Sequence, residues 1–151
     1  PMLIDLAFKQ FDSNHSDYIE SKNIICGAFT NGISFKALRK VCLIKDTTDT
    51  EMIWPYFKET KLFKIENLNN VPSRFFRNDI RLTLDYIEDL NFMREIVRLA
   101  DKYKLKNDNY LTLDSIIKIV EKKPEILEIN NFRHLEWANN QKNNTKLMLK
   151  K

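Results

Sequence analysis

The hydrophobic period of the chain changes near Asp85, and this change constrains the fold more than any other feature. Ile80, Leu82 and Leu84 alternate with polar residues, which is the period of a half-buried β-strand. From Leu90 onward, apolar residues recur at helical spacing instead. A strand that leads directly into a helix, in a chain where such segments alternate, predicts an α/β layered domain.

Three acids stand at this junction, Asp85, Glu88 and Asp89, and they have two interpretations. In the structural one, Asp85 is the N-cap of the helix, and Glu88 completes a capping box three residues later. In the functional one, a carboxylate at the carboxyl end of a strand lies where α/β sheets bind ligands. The sequence favours the structural interpretation and leaves the catalytic one open.

The flanking segments have the same mixed pattern. The spacing predicts a first helix that ends before Asp12, a second capped by Ser34 and a third capped by Thr112. Short strands are expected within residues 17–26 and 61–68. The chain therefore alternates between the two kinds of element, although it has few strands for a complete sheet.

Composition places the chain among ordinary globular proteins of about one domain. Of its 151 residues, 43% are hydrophobic and 30% charged, and the net charge of +4 is spread along the chain. This dispersed charge does not indicate a nucleic-acid partner, although the Lys-rich end of the chain keeps that option open. No apolar run approaches the length of a membrane span, so no membrane partner is expected.

The cysteines indicate a reduced interior. Cys26 and Cys42 both lie in apolar surroundings, and two cysteines do not make a disulfide framework. A cytoplasmic location is expected. Cys42 is expected to fill the core from the apolar face of the second helix, because a free cysteine packs as a small apolar residue.

Glycine is scarce, and this scarcity bears on nucleotide binding. Gly27 and Gly32 are the two glycines of the sequence, and they lie five positions apart in one short segment. A phosphate-binding loop of either common type needs glycines at a turn from a strand into a helix. If the protein handles nucleotides, the loop that grips them is not in this chain.

Three segments together resemble one enzyme family. They are "GISFKALRKVCLIKDTTDTEMIWPYF", "RLTLDYIEDLNFMREI" and "YLTLDSIIKIVEKKPEILEIN". Their order and approximate spacing are similar to those of bacterial and archaeal cytidylyltransferases of the spore-coat polysaccharide and CMP-sugar-acid synthetase type. Asp85, Glu88 and Asp89 stand on the acids of the family pattern (V/L)D-x-P-E-D-(L/F), and Ile87 replaces its usual proline.

The resemblance implies a partial fold. "PMLID" resembles the segment directly after the family's G-D-x-P element, so the amino-terminal nucleotide-binding half would precede Pro1. Residues 1–130 would then be the carboxyl-terminal part of a single three-layer α/β/α, Rossmann-like nucleotidyltransferase domain. Residues 131–151 would be an Asn- and Lys-rich tail, either a helix or a linker. This chain alone would be inactive.

The resemblance also implies a reaction and its residues. In the family, a sugar or sugar-acid hydroxyl attacks the α-phosphorus of CTP, with release of pyrophosphate and formation of a CMP-sugar. Mg²⁺ held by carboxylates neutralises the phosphates, and Asp85 matches one of its two ligands. Asn31, Thr50 and Glu51 match the part of the family that lines the acceptor-sugar pocket and contributes to a homodimer.

A second interpretation comes from another class of function. The chain would keep the fold without the chemistry and act as an interaction or dimerisation module. An open sheet edge would then pair with a partner chain, because unpaired strand edges invite such pairing.

Overall fold

The chain is a mixed α/β protein. The computed structural model describes residues 2–48, 52–106 and 110–150. In these residues the helices are α1 (Met2–Asn14), α2 (Phe35–Ile44), α3 (Trp54–Lys58), α4 (Ile87–Lys102), α5 (Leu113–Lys122) and α6 (Arg133–Asn144). The strands are β1 (Tyr18–Glu20), β2 (Asn31–Ile33) and β3 (Ile65–Asn67), and two 3-10 segments cover Ser73–Phe75 and Pro124–Ile129.

The chain divides into two compact units. Unit 1 comprises residues 1–22, 29–72 and 139–151, and unit 2 comprises residues 23–28 and 73–138. The segment expected to be a tail, residues 131–151, contains α6. The expected single domain over residues 1–130 stays a prediction.

Unit 1 contains a three-stranded sheet in the order β2-β1-β3. β1 pairs with β2 in antiparallel fashion, with Tyr18 opposite Ile33, and with β3 in parallel fashion, with Tyr18 opposite Ile65. Tyr18 of β1 forms one buried hydrophobic cluster with Ala37 and Val41 of α2 and Tyr56 and Phe57 of α3. The rings of Tyr18 and Phe57 stack with centroids 4.6 Å apart.

One carboxylate joins the end of α1 to this sheet. Oε2 of Glu66 on β3 accepts hydrogen bonds from Ser16 Oγ at 2.6 Å, Asn14 Nδ2 at 2.8 Å and Gln10 Nε2 at 3.1 Å. Led by the bond from Ser16, these donors lower the pKa of Glu66 to about 2. The ionised form of Glu66 therefore tethers α1 to β3.

Unit 2 is built mainly from helices. α4, α5 and the 3-10 segment Pro124–Ile129 pack against one another. Their shared core consists of Phe92, Ile96, Leu99, Ala100, Ile116, Ile117, Ile119, Val120 and Ile126. Within α4 and within α5, the buried residues recur at helical spacing, as expected of a helix that buries one face.

Two expected N-caps are confirmed. Ser34 Oγ accepts the backbone N–H of Ala37 at 3.2 Å at the start of α2. Thr112 Oγ1 accepts the N–H of Ser115 at 3.1 Å at the start of α5. The expected strand within residues 61–68 is confirmed as β3, and β1 lies in the other expected range.

Other expectations were wrong in detail. α1 was expected to end before Asp12, but it includes the polar residues after Phe11 and extends to Asn14. Cys42 is exposed, since α2 buries Ala37 and Val41 on its inner face and Cys42 lies outside that face. Both cysteines are free thiols. No helix in the described ranges is both long enough and apolar enough to cross a membrane.

Candidate functional site around Asp85

The expected strand over residues 80–84 is wrong, since this segment forms one isolated bridge and no strand. Arg81 forms a single parallel bridge with Cys26, in which the N–H of Leu82 donates to Cys26 O at 2.8 Å. Gly27, with φ +85°, lies directly against this segment, and a Cβ there would lie 2.8 Å from the carbonyl carbon of Leu82. The close approach and the positive φ both require glycine.

The alternation pattern also misplaced Arg81. It predicted Arg81 on the polar face, whereas the side chain is fully buried in unit 2. Arg81 Nε donates to Asp89 Oδ1 at 2.9 Å, and Nη2 donates to Asp89 Oδ2 at 3.2 Å. Nη2 also donates to Asp85 Oδ2 at 2.8 Å. This bidentate pair offsets the buried charge of the guanidinium, while Nη1 has no hydrogen-bond partner among the described residues.

Asp89 is the acid that caps α4. The N-cap is Tyr86, and Asp89 at the third helical position accepts the N–H of Tyr86 at 3.1 Å through Oδ2. The same oxygen accepts the N–H of Asp85 at 2.9 Å. Asp85 and Glu88, which were expected to form the capping box, therefore flank the cap, because the helix begins one residue later than the pattern indicated.

The ionised form of Asp89 is stabilised although the residue is fully buried. Burial raises the pKa of Asp89, but hydrogen bonds from Arg81, Asn130 and two backbone N–H groups outweigh it and hold the pKa below its usual value. Asn130 Nδ2 donates to Asp89 Oδ1 at 2.9 Å and to the carbonyl oxygen of Arg81 at 3.1 Å. Asp89 is thus occupied by internal donors.

Asp85 differs from its neighbours because its carboxylate faces solvent. Its side chain is 45% exposed, whereas those of Arg81 and Asp89 are 0% exposed. Glu88 is engaged elsewhere, since both of its oxygens accept hydrogen bonds from Arg133, at 2.7 and 3.2 Å. Of the three acids at the junction, Asp85 is the one whose carboxylate is exposed and bound to a single side chain in the structure.

Aromatic rings complete the surroundings of the two arginines. Arg81 Cζ lies 5.5 Å from the ring centroid of Tyr86 and 5.8 Å from that of Trp137. Arg133 Cζ lies 4.7 Å from the Tyr86 ring, so both guanidinium groups contact that ring. Burial lowers the pKa of His134, and the positive charge of Arg81 lowers it further. His134 is partly buried.

A complete metal site is not present in the described part of the chain, where no group of three or more His, Cys, Asp or Glu side chains could hold an ion. Asp85 nevertheless fits the role of a single ligand. Mg²⁺ keeps several waters and uses one or two protein carboxylates. Ligating carboxylates are themselves commonly hydrogen-bonded by a second residue, as Arg81 does here.

The other predicted site residues belong to a different part of the chain. Asn31 lies in unit 1 and lines a cavity of about 760 Å³. Its walls include the rings of Phe8, Phe11, Phe29 and Phe35 and the polar side chains of Asp12, His15, Asp17 and Lys36. Thr50 and Glu51 lie outside the described residues.

Sequence reasoning missed Arg81 and Asn130 as members of the Asp85 cluster. An arginine followed by acids four and eight residues later was the available signal for Arg81. Asn130 lies 49 residues from Arg81 in sequence, and no local pattern connects the two.

Among known proteins, the chain is similar to an uncharacterized protein of Methanocaldococcus jannaschii. The two are 32% identical over 130 residues, which cover 85% of this chain and 51% of that protein. The chain therefore spans about half the length of the curated relative that it matches. No family model and no solved structure matches the chain.

Proposed function

We propose that this chain is the carboxyl-terminal part of a cytidylyltransferase that transfers CMP from CTP to a sugar or sugar acid for surface polysaccharide synthesis. The observation that carries the proposal is the half-exposed carboxylate of Asp85, which is fixed by two buried residues at the start of α4. Asp85 is also the residue that matches the metal-binding acid of the family pattern.

In this proposal Asp85 contributes one carboxylate oxygen to Mg²⁺. The bound ion would neutralise negative charge on the triphosphate, which lowers the barrier for nucleotidyl transfer. Before substrate binds, Arg81 already holds the carboxylate of Asp85 and Asp89 already holds its backbone N–H. A group that is already placed loses little freedom when the substrate binds, and this preorganisation favours the reaction.

The finer fold assignment is part of the same proposal. We infer a Rossmann-like α/β/α domain, to which this chain contributes the carboxyl-terminal part. The parallel pairing of β1 with β3 supports it, because parallel neighbours are typical of layered α/β folds. The cytoplasmic location and the homodimer belong to the proposal as well.

Asn31, the proposed acceptor residue that the structure describes, lines the cavity of unit 1. Considered by itself, this cavity suits a sugar, because its aromatic rings lie next to polar side chains and a sugar has apolar ring faces and hydroxyl edges. Thr50 and Glu51 are the other two proposed acceptor residues, and they are proposed from the family pattern alone.

One observation favours the alternative, a non-catalytic interaction module. Ile4, Phe8 and Phe35 are 54%, 65% and 74% exposed, and all three line the cavity of unit 1. Large exposed apolar side chains that share one surface are typical of sites that contact another protein. The same cavity therefore suits either candidate function, and activity must distinguish them.

The deciding experiment measures pyrophosphate release from CTP by the full-length gene product, with Mg²⁺ and a panel of sugar acids. Asp85→Asn should lower the rate by ~10²-fold or more, because a metal-binding charge is lost. Asp5→Asn removes the same charge from an exposed position on α1 and should leave the rate unchanged. Absence of CTP turnover with every acceptor would favour the interaction module.

A further inference from the structure

We propose that Arg81 and Asp89 form a positioning pair that holds Asp85 in its cation-binding orientation. This inference rests on the proposed metal role of Asp85. It assigns to the two buried residues a task beyond capping α4 and filling the interior of unit 2.

The pair fixes Asp85 in two ways. Arg81 Nη2 donates to the carboxylate of Asp85 at 2.8 Å, and Asp89 Oδ2 accepts the backbone N–H of Asp85 at 2.9 Å. Both anchors are fully buried, while the Asp85 side chain is 45% exposed. The residue is thus held from the interior and presents its carboxylate to solvent.

The anchors are themselves rigidly placed. Arg81 makes a bidentate contact with Asp89, and Asn130 bridges the two by donating to Asp89 Oδ1 and to the carbonyl oxygen of Arg81. The rings of Tyr86 and Trp137 lie within 6 Å of the guanidinium. Fork-shaped pairing of this kind restricts the orientation of a guanidinium more than a single hydrogen bond would.

The charges of Arg81 and Asp89 cancel, so an effect of the pair on the position of Asp85 can be distinguished from an effect on the electrostatic attraction of a cation. Arg81 alone would repel a cation at Asp85, but Asp89 supplies the opposite charge at hydrogen-bond distance. Arg81, Asp89 and Asp85 together carry a formal charge of −1, the same as Asp85 by itself. Removal of both Arg81 and Asp89 therefore leaves the formal charge unchanged and removes the support for Asp85, together with the cap of α4 and the acceptor of Asn130.

The test uses Mn²⁺ as the probe and the full-length gene product as the protein. Binding is read from paramagnetic broadening of the backbone amide signals of residues 85 and 86 in a titration. The wild-type chain should show saturable broadening there, and Asp85→Asn should abolish it. These two measurements test the proposed metal role of Asp85 independently of the proposed positioning by Arg81 and Asp89.

The charge-matched double variant Arg81→Met/Asp89→Leu then examines positioning. It should weaken Mn²⁺ binding at residues 85 and 86 by ~10-fold, which is the lower end of the effect of losing an outer-shell partner. The control Arg74→Met/Asp114→Leu removes an exposed ion pair of unit 2 and should bind as the wild type does. Dispersed amide signals elsewhere establish that each variant is folded.

The results separate the two proposals. If the double variant binds Mn²⁺ as tightly as the wild type, positioning is overturned while the metal role of Asp85 stands. If the wild type shows no saturable broadening, or if Asp85→Asn leaves it intact, both fail. Arg81→Lys should restore part of the affinity lost in Arg81→Met, because a lysine ammonium group is also a charged donor. The restoration should be incomplete, because one ammonium group cannot replace the contacts of both Nε and Nη2.

Discussion

Arg81 donates a hydrogen bond to Asp85 across 2.8 Å, and this bond joins a fully buried side chain to one that is 45% exposed. The arginine is at the same time paired with buried Asp89. Internal charge balance and the orientation of a solvent-facing carboxylate therefore depend on the same guanidinium. Substitutions in this cluster should affect stability and cation binding differently.

Arg81→Met should destabilise the protein by about 3–5 kcal/mol, because it leaves the carboxylate of Asp89 buried without its partner. Arg81→Met/Asp89→Leu should recover part of this loss, because it removes the unpaired buried charge, but not all of it, because Asp89 also accepts the N–H groups at the start of α4 and the amide of Asn130. Urea unfolding followed by circular dichroism measures both. Equal destabilisation by the single and double variants would contradict this role of the pair.

The local elements could be predicted because their signals are local. α2 and α5 each have a hydroxyl N-cap directly before an apolar periodic run, and both appear where the sequence placed them. The cap of α4 was misassigned among neighbouring acids. Asp89 is the acid that reaches the free N–H groups, because the helix begins at Ile87.

The candidate site was predictable only in part. Asp85 could be named from the family pattern, but the burial of Arg81 could not, because alternation alone assigns an arginine to the polar face. The contact that permits the burial is non-local, since Asn130 approaches from the segment after Pro124–Ile129. A single sequence contains no signal for a contact 49 residues apart.

The two confirmed N-caps give a paired prediction. Ser34→Ala and Thr112→Ala should each destabilise the protein by about 1 kcal/mol, because each leaves a backbone N–H at a helix start without its side-chain acceptor. Ser34→Asn and Thr112→Asp retain an acceptor and should lose much less. Thermal unfolding measures all four. Alanine variants as stable as the wild type would contradict the capping role.

The hydrogen bonds to Glu66 should make the stability of the folded chain depend on pH in the acid range. The pKa of Glu66 is lowered from 4.5 to about 2 in the folded chain, so the unfolded state takes up the proton first as pH falls. The contribution of Glu66 should be complete above pH 4.5, decrease below it and be lost as pH falls through about 2.

Thermal unfolding of Glu66→Gln across this pH range measures that contribution. The variant should be less stable than the wild type at pH 6, and the difference should shrink between pH 4.5 and 2. Glu59→Gln, an equal charge change at an exposed position of unit 1, serves as the control. A difference between Glu66→Gln and the wild type that stays constant with pH would be inconsistent with this account.

Gly32 should be intolerant of a side chain because of Phe11. A Cβ at position 32 would lie 2.6 Å from Cε2 of the Phe11 ring, so the ring must move. Gly32→Ala should cost about 1–3 kcal/mol, as overpacking commonly does. Thr30→Ala, nearby and exposed, is the control for the loop.

A double-variant cycle on the unfolding free energy isolates the clash at Gly32. Phe11→Leu should reduce the cost of Gly32→Ala, because the smaller side chain makes room for the added Cβ. If the two substitutions are additive, the clash is not the cause.

CTP-dependent pyrophosphate release by the full-length protein tests the central claim most directly. The account predicts turnover with a sugar-acid acceptor and Mg²⁺, a loss of ~10²-fold or more in Asp85→Asn, and an unchanged rate in Asp5→Asn. Full activity in Asp85→Asn would contradict the account.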